Sequence, residues 1–293
     1  MANAECGAGG FSDLFLDDQE HPGDRVTEGG FAMNEVSSLG KGLFAGIGPR
    51  PPHRTLRTDW TLPIDDLDVD SIDPTRRRAL ADHWTRIGAT EHASVASFAR
   101  FSLQLLALGA PPRLLAGAQE AALDEIEHAR FAYGLASAFA GEPIGPGPLD
   151  LGGGDISSDV GSIVRDLVED ACVNETIGVV EAMTLAERAH PAVREGFALM
   201  AADEAEHAAL AWGALAWMVD SLGPDVGRAA LDALDLAVES STYATERAGL
   251  TAPELGVLGG VDKAVSRARA LEEVITPLRE EIARRVRRRA EAA

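Results

Sequence analysis

Two six-residue stretches decide the fold: residues 124–129 read DEIEHA, and residues 203–208 read DEAEHA. Each stretch contains a Glu-x-x-His pattern, and the residues that form the two copies are Glu125, His128, Glu204 and His207. Residues three positions apart project from one face of an α-helix, with their Cβ atoms about 5–6 Å apart. The glutamate and the histidine of each copy can therefore bind one cation together.

Each copy follows a helical stretch that carries a lone glutamate. Glu91 lies 34 residues before Glu125, and Glu175 lies 29 residues before Glu204. A helix of about 30 residues is about 45 Å long, so an antiparallel partner returns to the same height roughly 30 residues later. The six residues can thus meet inside four helices. Four carboxylates and two imidazoles are the ligand set of a two-metal site in a helix bundle.

Composition favours helix packed on helix. The chain has 293 residues, of which 46% are hydrophobic and only 5% aromatic. This length allows either one large domain with appendages or two domains. The formal charge of −21 argues against nucleic acid as a partner, because phosphates would be repelled. We interpret the basic run at residues 284–289 as the cationic end of a helix, with an anionic partner as the alternative.

Targeting signals are not found in the sequence. Residues 1–25 have neither the basic region nor the apolar region of a signal peptide, and no run of 18 apolar residues predicts a membrane span. Cys6 and Cys172 cannot form a disulfide framework. We therefore expect a cytoplasmic protein that does not bind a membrane.

Capping signals predict the helices and three regions of the chain. Asp73 followed by Pro74 is a typical helix start, so residues 1–73 form an irregular, partly disordered N-terminal arm. Apolar residues around 60–67 could dock this arm, and the alternative is a plain tail. A bundle at 74–221 would contain helices at about 74–108, 112–140, 158–190 and 191–221, with a long Gly/Pro-rich crossover at 141–157. Residues 222–293 would add two C-terminal helices, packed on the bundle or on another subunit.

The ligand set resembles the signature of the ferritin-like di-iron carboxylate superfamily, and the resemblance covers roughly residues 74–221. It implies an all-α, ferritin-like four-helix bundle whose metal ligands are Glu91, Glu125, His128, Glu175, Glu204 and His207. Carboxylate with imidazole suits two iron ions, and a Mn/Fe or Mn pair is the alternative. Glu125 and Glu204 would bridge the ions.

An aspartate directly precedes the ligand glutamate of each motif, as it does in the bacterial multicomponent monooxygenases and the ribonucleotide reductase small subunit. By analogy, Asp203 would orient His128, and Asp124 would orient His207. The alternative is that both aspartates are exposed charges.

Three positions depart from better-known members of the superfamily. Rubrerythrin-like enzymes carry a further glutamate at the position of Gly178, the reductase small subunits carry a radical tyrosine at that of Ala132, and the monooxygenases carry a threonine at that of Val179. Tyr133 and Cys172 are interpreted as core residues. The small residues around the ligands favour either close helix packing or a substrate cavity that also includes Phe98.

The resemblance implies a protein that activates dioxygen to oxidise or hydroxylate a small organic substrate, with an electron donor and a homodimer as possible partners. The alternatives are a ferroxidase or iron-handling protein, whose substrate is ferrous ion, and a non-catalytic metal-binding stress protein.

Overall fold

The computed structural model describes residues 56–149, 156–243 and 249–292. These residues form six helices and no β-strand, which confirms the predicted all-α class. The helices, numbered in chain order, are α1 (Pro74–Leu108), α2 (Pro112–Ala140), α3 (160–188), α4 (Pro191–Ser221), α5 (Pro224–Tyr243) and α6 (260–292). None of these helices is long and apolar enough to cross a membrane.

Two of the helices contain a wider π-helical segment. Helix α3 consists of Val160–Asp166, the π segment Leu167–Val173 and Asn174–Arg188. Helix α6 consists of Gly260–Ala270, the π segment Leu271–Ile275 and Thr276–Ala292. A π turn bonds residue i to i+5, so each segment rotates the following part of its helix relative to an unbroken α-helix.

The residues predicted to cap the ends of α1 do so. The Asp73 carboxylate accepts hydrogen bonds from the backbone N–H groups of Thr75 (2.9 Å) and Arg76 (3.1 Å) at the start of α1. Gly109 ends α1 in the left-handed conformation, with φ 71°.

The short turns at 109–111 and 189–190 join α1 to α2 and α3 to α4, so these helices pack as two hairpins. Helix α2 also contacts α4.

Two hydrophobic clusters fill the interior at different heights. One contains Trp84 of α1 and Phe197 of α4, and the other contains Phe101 of α1 and Trp212 of α4. The motifs on α2 and α4, and Glu91 on α1, fall between the two clusters in sequence. The predicted ligands therefore lie in the middle of the apolar core.

The end of the N-terminal arm is docked. The backbone N–H of Leu62 donates to the carbonyl of Arg130 on α2 at 3.0 Å. The Leu62 backbone lies so close to Gly134 that a Cβ there would clash with the Leu62 carbonyl oxygen. The residues that pack against the core include Trp60, Leu62, Ile64 and Leu67. The rest of the predicted arm (1–55), residues 150–155 of the crossover and residues 244–248 lie outside the described residues.

Helix α6 forms ion pairs with α3, α4 and α5. Asp262 pairs with Arg188 of α3, Arg279 with Asp235 of α5, and Arg285 with Asp220 of α4, each at 2.6 Å. Within the basic run, Arg284 pairs with Glu281, and Arg289 donates to the carbonyl of Val219. These contacts within the chain favour the interpretation of the run as a helix end.

Asp170 is an unusual buried acid in the π segment of α3. Its exposed fraction is 6%. Burial, together with the negative charges of Glu169 and Asp166, raises the pKa of Asp170 to about 8, although Arg100 opposes the rise. In the unfolded chain the pKa would be about 3.9. The folded protein therefore binds a proton that the unfolded chain releases between these two pH values.

We predict that Asp170 lowers stability as pH rises from about 4 to 8, by at most about 1.4 kcal/mol per pH unit. Replacing it by asparagine removes this proton linkage. Asp170→Asn should therefore gain free energy of unfolding relative to wild type between pH 5 and pH 8, on the order of a few kcal/mol. Urea unfolding at both pH values measures the difference. Asp82→Asn, at an exposed position of α1, is the control, and parallel curves for Asp170→Asn and wild type would contradict the prediction.

Candidate metal centre

Four helices bring the six predicted ligands to one place. Glu91 comes from α1, Glu175 from α3, and each Glu-x-x-His motif from α2 or α4. Ligand atoms of Glu91, Glu125 and His128 lie within 4.8 Å of one another, and so do those of Glu125, Glu204 and His207. Glu175 shares a hydrogen bond with Glu204. Glu125, His128, Glu175 and His207 are buried, whereas Glu91 and Glu204 are partly exposed.

Glu125 and Glu204 lie between the two histidines. His128 Nδ1 is 3.9 Å from Glu125 Oε2 and 3.6 Å from Glu204 Oε1. His207 Nδ1 is 3.4 Å from Glu125 Oε1 and 3.6 Å from Glu204 Oε2. Each carboxylate thus turns one oxygen toward each imidazole. This is the arrangement in which two carboxylates can be shared by two cations.

Several atoms at the centre of this cluster are buried without a hydrogen-bond partner. They are His128 Nδ1, His207 Nδ1, Glu125 Oε2, Glu204 Oε2 and Glu175 Oε1. Leaving a polar atom buried and unpaired costs about 1–3 kcal/mol, and more for a charged group. All five are nitrogen or oxygen atoms of the kinds that bind iron and manganese. The residues therefore fit a bound metal ion.

The other nitrogen of each histidine is held by an aspartate from the opposite motif. His128 Nε2 is 3.1 Å from Asp203 Oδ2, and His207 Nε2 is 3.3 Å from Asp124 Oδ2. An imidazole that donates its Nε2–H to a carboxylate keeps Nδ1 available as a ligand. The structure brings together the same pairs that the sequence predicted, and the side chains of Asp203 and Asp124 are 36% and 39% exposed. Their effect on a bound metal stays a prediction.

Charge is unevenly distributed over the cluster. Burial raises the pKa of Glu91 and of Glu175 well above the ordinary value, and the neighbouring carboxylates raise both further. Burial opposes ionisation of Glu204 as well, but the adjacent His207 imidazole and the contact with Glu175 lower its pKa to about 2. Glu91 and Glu175 therefore keep their protons to higher pH than an exposed glutamate does, while Glu204 is ionised near neutral pH.

Both histidines have raised pKa values because carboxylates lie beside them. Burial on its own would lower the pKa of His207, but its hydrogen bond with Asp124 and the nearby carboxylates of Glu125 and Glu204 raise it well above the ordinary value. The pKa of His128 is also raised, because the hydrogen bond with Asp203 and the charges of Glu125 and Glu204 outweigh burial. Near neutral pH, His207 therefore carries a positive charge among the carboxylates.

The structure also shows the neighbours of the non-ligand residues that the sequence analysis discussed. Phe98 packs its ring edge against His207, with ring centroids 5.1 Å apart, as expected for a residue beside the ligands. His92 faces Trp60 of the arm at 4.8 Å. Tyr133 and Cys172 are buried core residues. A Cβ at Gly178 would contact nothing within 4 Å, so there is open space one turn after Glu175.

Sequence reasoning missed the π segment that ends two residues before Glu175. It also missed a buried hydrogen bond from the Trp212 indole N–H to the hydroxyl of Thr176, at 3.1 Å. No residue type marks a π segment reliably, and the partners of the hydrogen bond lie 36 positions apart. The only signal was the apolar spacing that placed Trp212 between helices.

No protein-family model, curated protein or solved structure matches this chain. The chemistry of the centre is therefore inferred from its own residues.

We predict that Asp203→Ala weakens metal binding by about 10–100-fold, because His128 loses the carboxylate that orients its ring and makes it a better ligand. Equilibrium titration with Mn²⁺ measures the affinity. The control is Glu206→Ala, which removes an exposed carboxylate from the same motif without touching a histidine. Equal effects of the two variants would show that only the surface charge matters.

We predict that metal binding releases protons. Glu91, Glu175 and His207 hold protons near neutral pH, and each must lose its proton to become a ligand. The affinity should therefore fall as pH is lowered, by about tenfold per pH unit for each proton released. Calorimetric titration with Mn²⁺ in buffers of different ionisation enthalpy counts these protons. The same enthalpy in every buffer would contradict the prediction.

Proposed function

We propose that this chain is a ferritin-like di-metal carboxylate protein that binds two iron ions, or a Mn/Fe or Mn pair, and activates dioxygen to oxidise a small organic substrate. One observation carries the proposal: each of Glu125 and Glu204 directs one oxygen to each of His128 and His207. The two helical hairpins and the long crossover between α2 and α3 support the ferritin-like architecture.

Each side chain has a definite role in this proposal. Glu91 and His128 would complete one half of the site, Glu175 and His207 would complete the other, and Glu125 and Glu204 would be shared. Four carboxylates balance the charge of two divalent cations. A pair of ferrous ions supplies electrons for the reduction of dioxygen. Hydrophobic clusters lie on either side of the site along α1, α2 and α4.

Ferrous ion as the substrate is the second candidate, and the surface beside the site favours it. The half-exposed Asp124 and Asp203 connect the buried histidines to the surface, where the exposed Glu127 and Glu206 lie in the same two motifs. Carboxylates that lead from solvent to a buried carboxylate cluster would attract cations, as would the net charge of −21.

Metal analysis tests the shared part of both candidates. Protein produced with iron or with manganese should contain about two metal ions per chain. The double variant Glu125→Ala/Glu204→Ala should contain almost none, because both shared ligands are lost. Glu127→Ala/Glu206→Ala replaces the exposed glutamates of the same motifs and should keep both ions. Wild-type protein that contains fewer than about two metal ions per chain, with the same content in Glu125→Ala/Glu204→Ala, would contradict the proposal.

Oxygen uptake separates the two candidates. Anaerobic protein loaded with two equivalents of Fe²⁺ should consume dioxygen, and the Glu125→Ala/Glu204→Ala variant should not. Further Fe²⁺ is then added without any organic compound. Continued turnover with release or storage of ferric ion would favour iron handling, whereas a single turnover that leaves the iron bound would favour oxidation of an organic substrate.

A further inference from the structure

Helices α3 and α4 are joined by a buried chain of hydrogen bonds beside the metal centre. The Trp212 indole N–H donates to the Thr176 hydroxyl at 3.1 Å, and this hydroxyl donates to the backbone carbonyl of Cys172 at 2.7 Å. All three residues are fully buried. We call this chain the Trp212–Thr176 bridge.

The bridge lies where the π segment of α3 returns to an α-helix. Cys172 belongs to the π segment, Thr176 follows it, and Glu175 lies directly beside Thr176. A π segment adds a residue to its turn, so the direction of Glu175 depends on where the segment ends. The hydroxyl bonds the carbonyl at this junction, and thereby holds the junction in place.

The other end of the bridge belongs to the helix that carries the second motif. Trp212 lies five residues after His207 on α4. The same indole therefore connects the backbone beside Glu175 to the helix that presents Glu204 and His207. On α1 and α2, Glu91, Glu125 and His128 lie outside this connection.

We propose that Thr176 and Trp212 are positioning residues that direct the Glu175 carboxylate toward Glu204 and so determine binding at one half of the metal centre. The inference rests on the proposed function, because it assigns Glu175, Glu204 and His207 to one cation. It adds an asymmetry: the half-site at Glu175 depends on the bridge, and the half-site at Glu91 does not.

Titration of the metal-free protein with Co²⁺ tests this inference, since its visible absorption and calorimetry report the number and affinity of bound ions. Wild type should bind about two ions. Thr176→Val keeps the shape of the side chain and removes the hydroxyl, so the second ion should bind at least about tenfold more weakly. Trp212→Phe should give the same loss. Thr176→Ser restores a hydroxyl and should restore both ions.

The chain offers matched controls for both positions. Ser102 also donates its hydroxyl to the carbonyl four residues earlier, that of Phe98, and accepts a hydrogen bond from Gln119 on α2. The buried Trp84 donates its indole N–H to the carbonyl of Leu255. Ser102→Ala and Trp84→Phe should therefore keep both ions. Thermal unfolding of every variant separates a loss of stability from a loss of one ion.

Two-site binding in wild type that both Thr176→Val and Trp212→Phe leave unchanged would overturn this inference alone. Equal weakening of both ions, or an equal loss in Ser102→Ala, would also overturn it, because the effect would then be general. Wild-type protein that binds no Co²⁺ would overturn the two-metal proposal together with this inference.

Discussion

Four carboxyl groups lie close together in the interior of the helix bundle. Their mutual repulsion is the constraint on which the centre of the molecule depends. Buried like charges must gain protons or positive partners. The structure uses both means: Glu91 and Glu175 hold protons, whereas Glu204 is ionised beside a charged His207. A bound metal cation would supply positive charge in place of these protons, so the same cluster that favours protonation could hold a metal ion.

The clustered side chains come from two helical hairpins, and neither hairpin contains all of them. Glu125 belongs to the first hairpin and Glu204 to the second, yet each lies near the histidines of both. The other described elements pack against these hairpins. The arm packs against α2 through Leu62, and α6 is bound to α3, α4 and α5 by ion pairs. The site is therefore shared between hairpins and enclosed by elements that contribute no ligand.

Local signals explain how much could be predicted from the sequence. Helix ends followed from Asp73 before Pro74 and from Gly109, because capping depends on a few adjacent residues. The grouping of the glutamate and histidine side chains followed from helical spacing, and the crossed Asp–His pairs followed from a family analogy. The π segment before Glu175 did not, because no local residue pattern marks it. The bond between Trp212 and Thr176 was missed because its partners lie 36 positions apart. The burial of Asp170 was missed because the sequence does not mark an acidic residue within the core.

The crossed pairs of histidine and aspartate also restrict how the helices can move. Both bonds run between α2 and α4, in opposite directions along the sequence. Sliding one helix past the other by a single turn, about 5.4 Å, would break both bonds at once. Shear motion between α2 and α4 is therefore disfavoured.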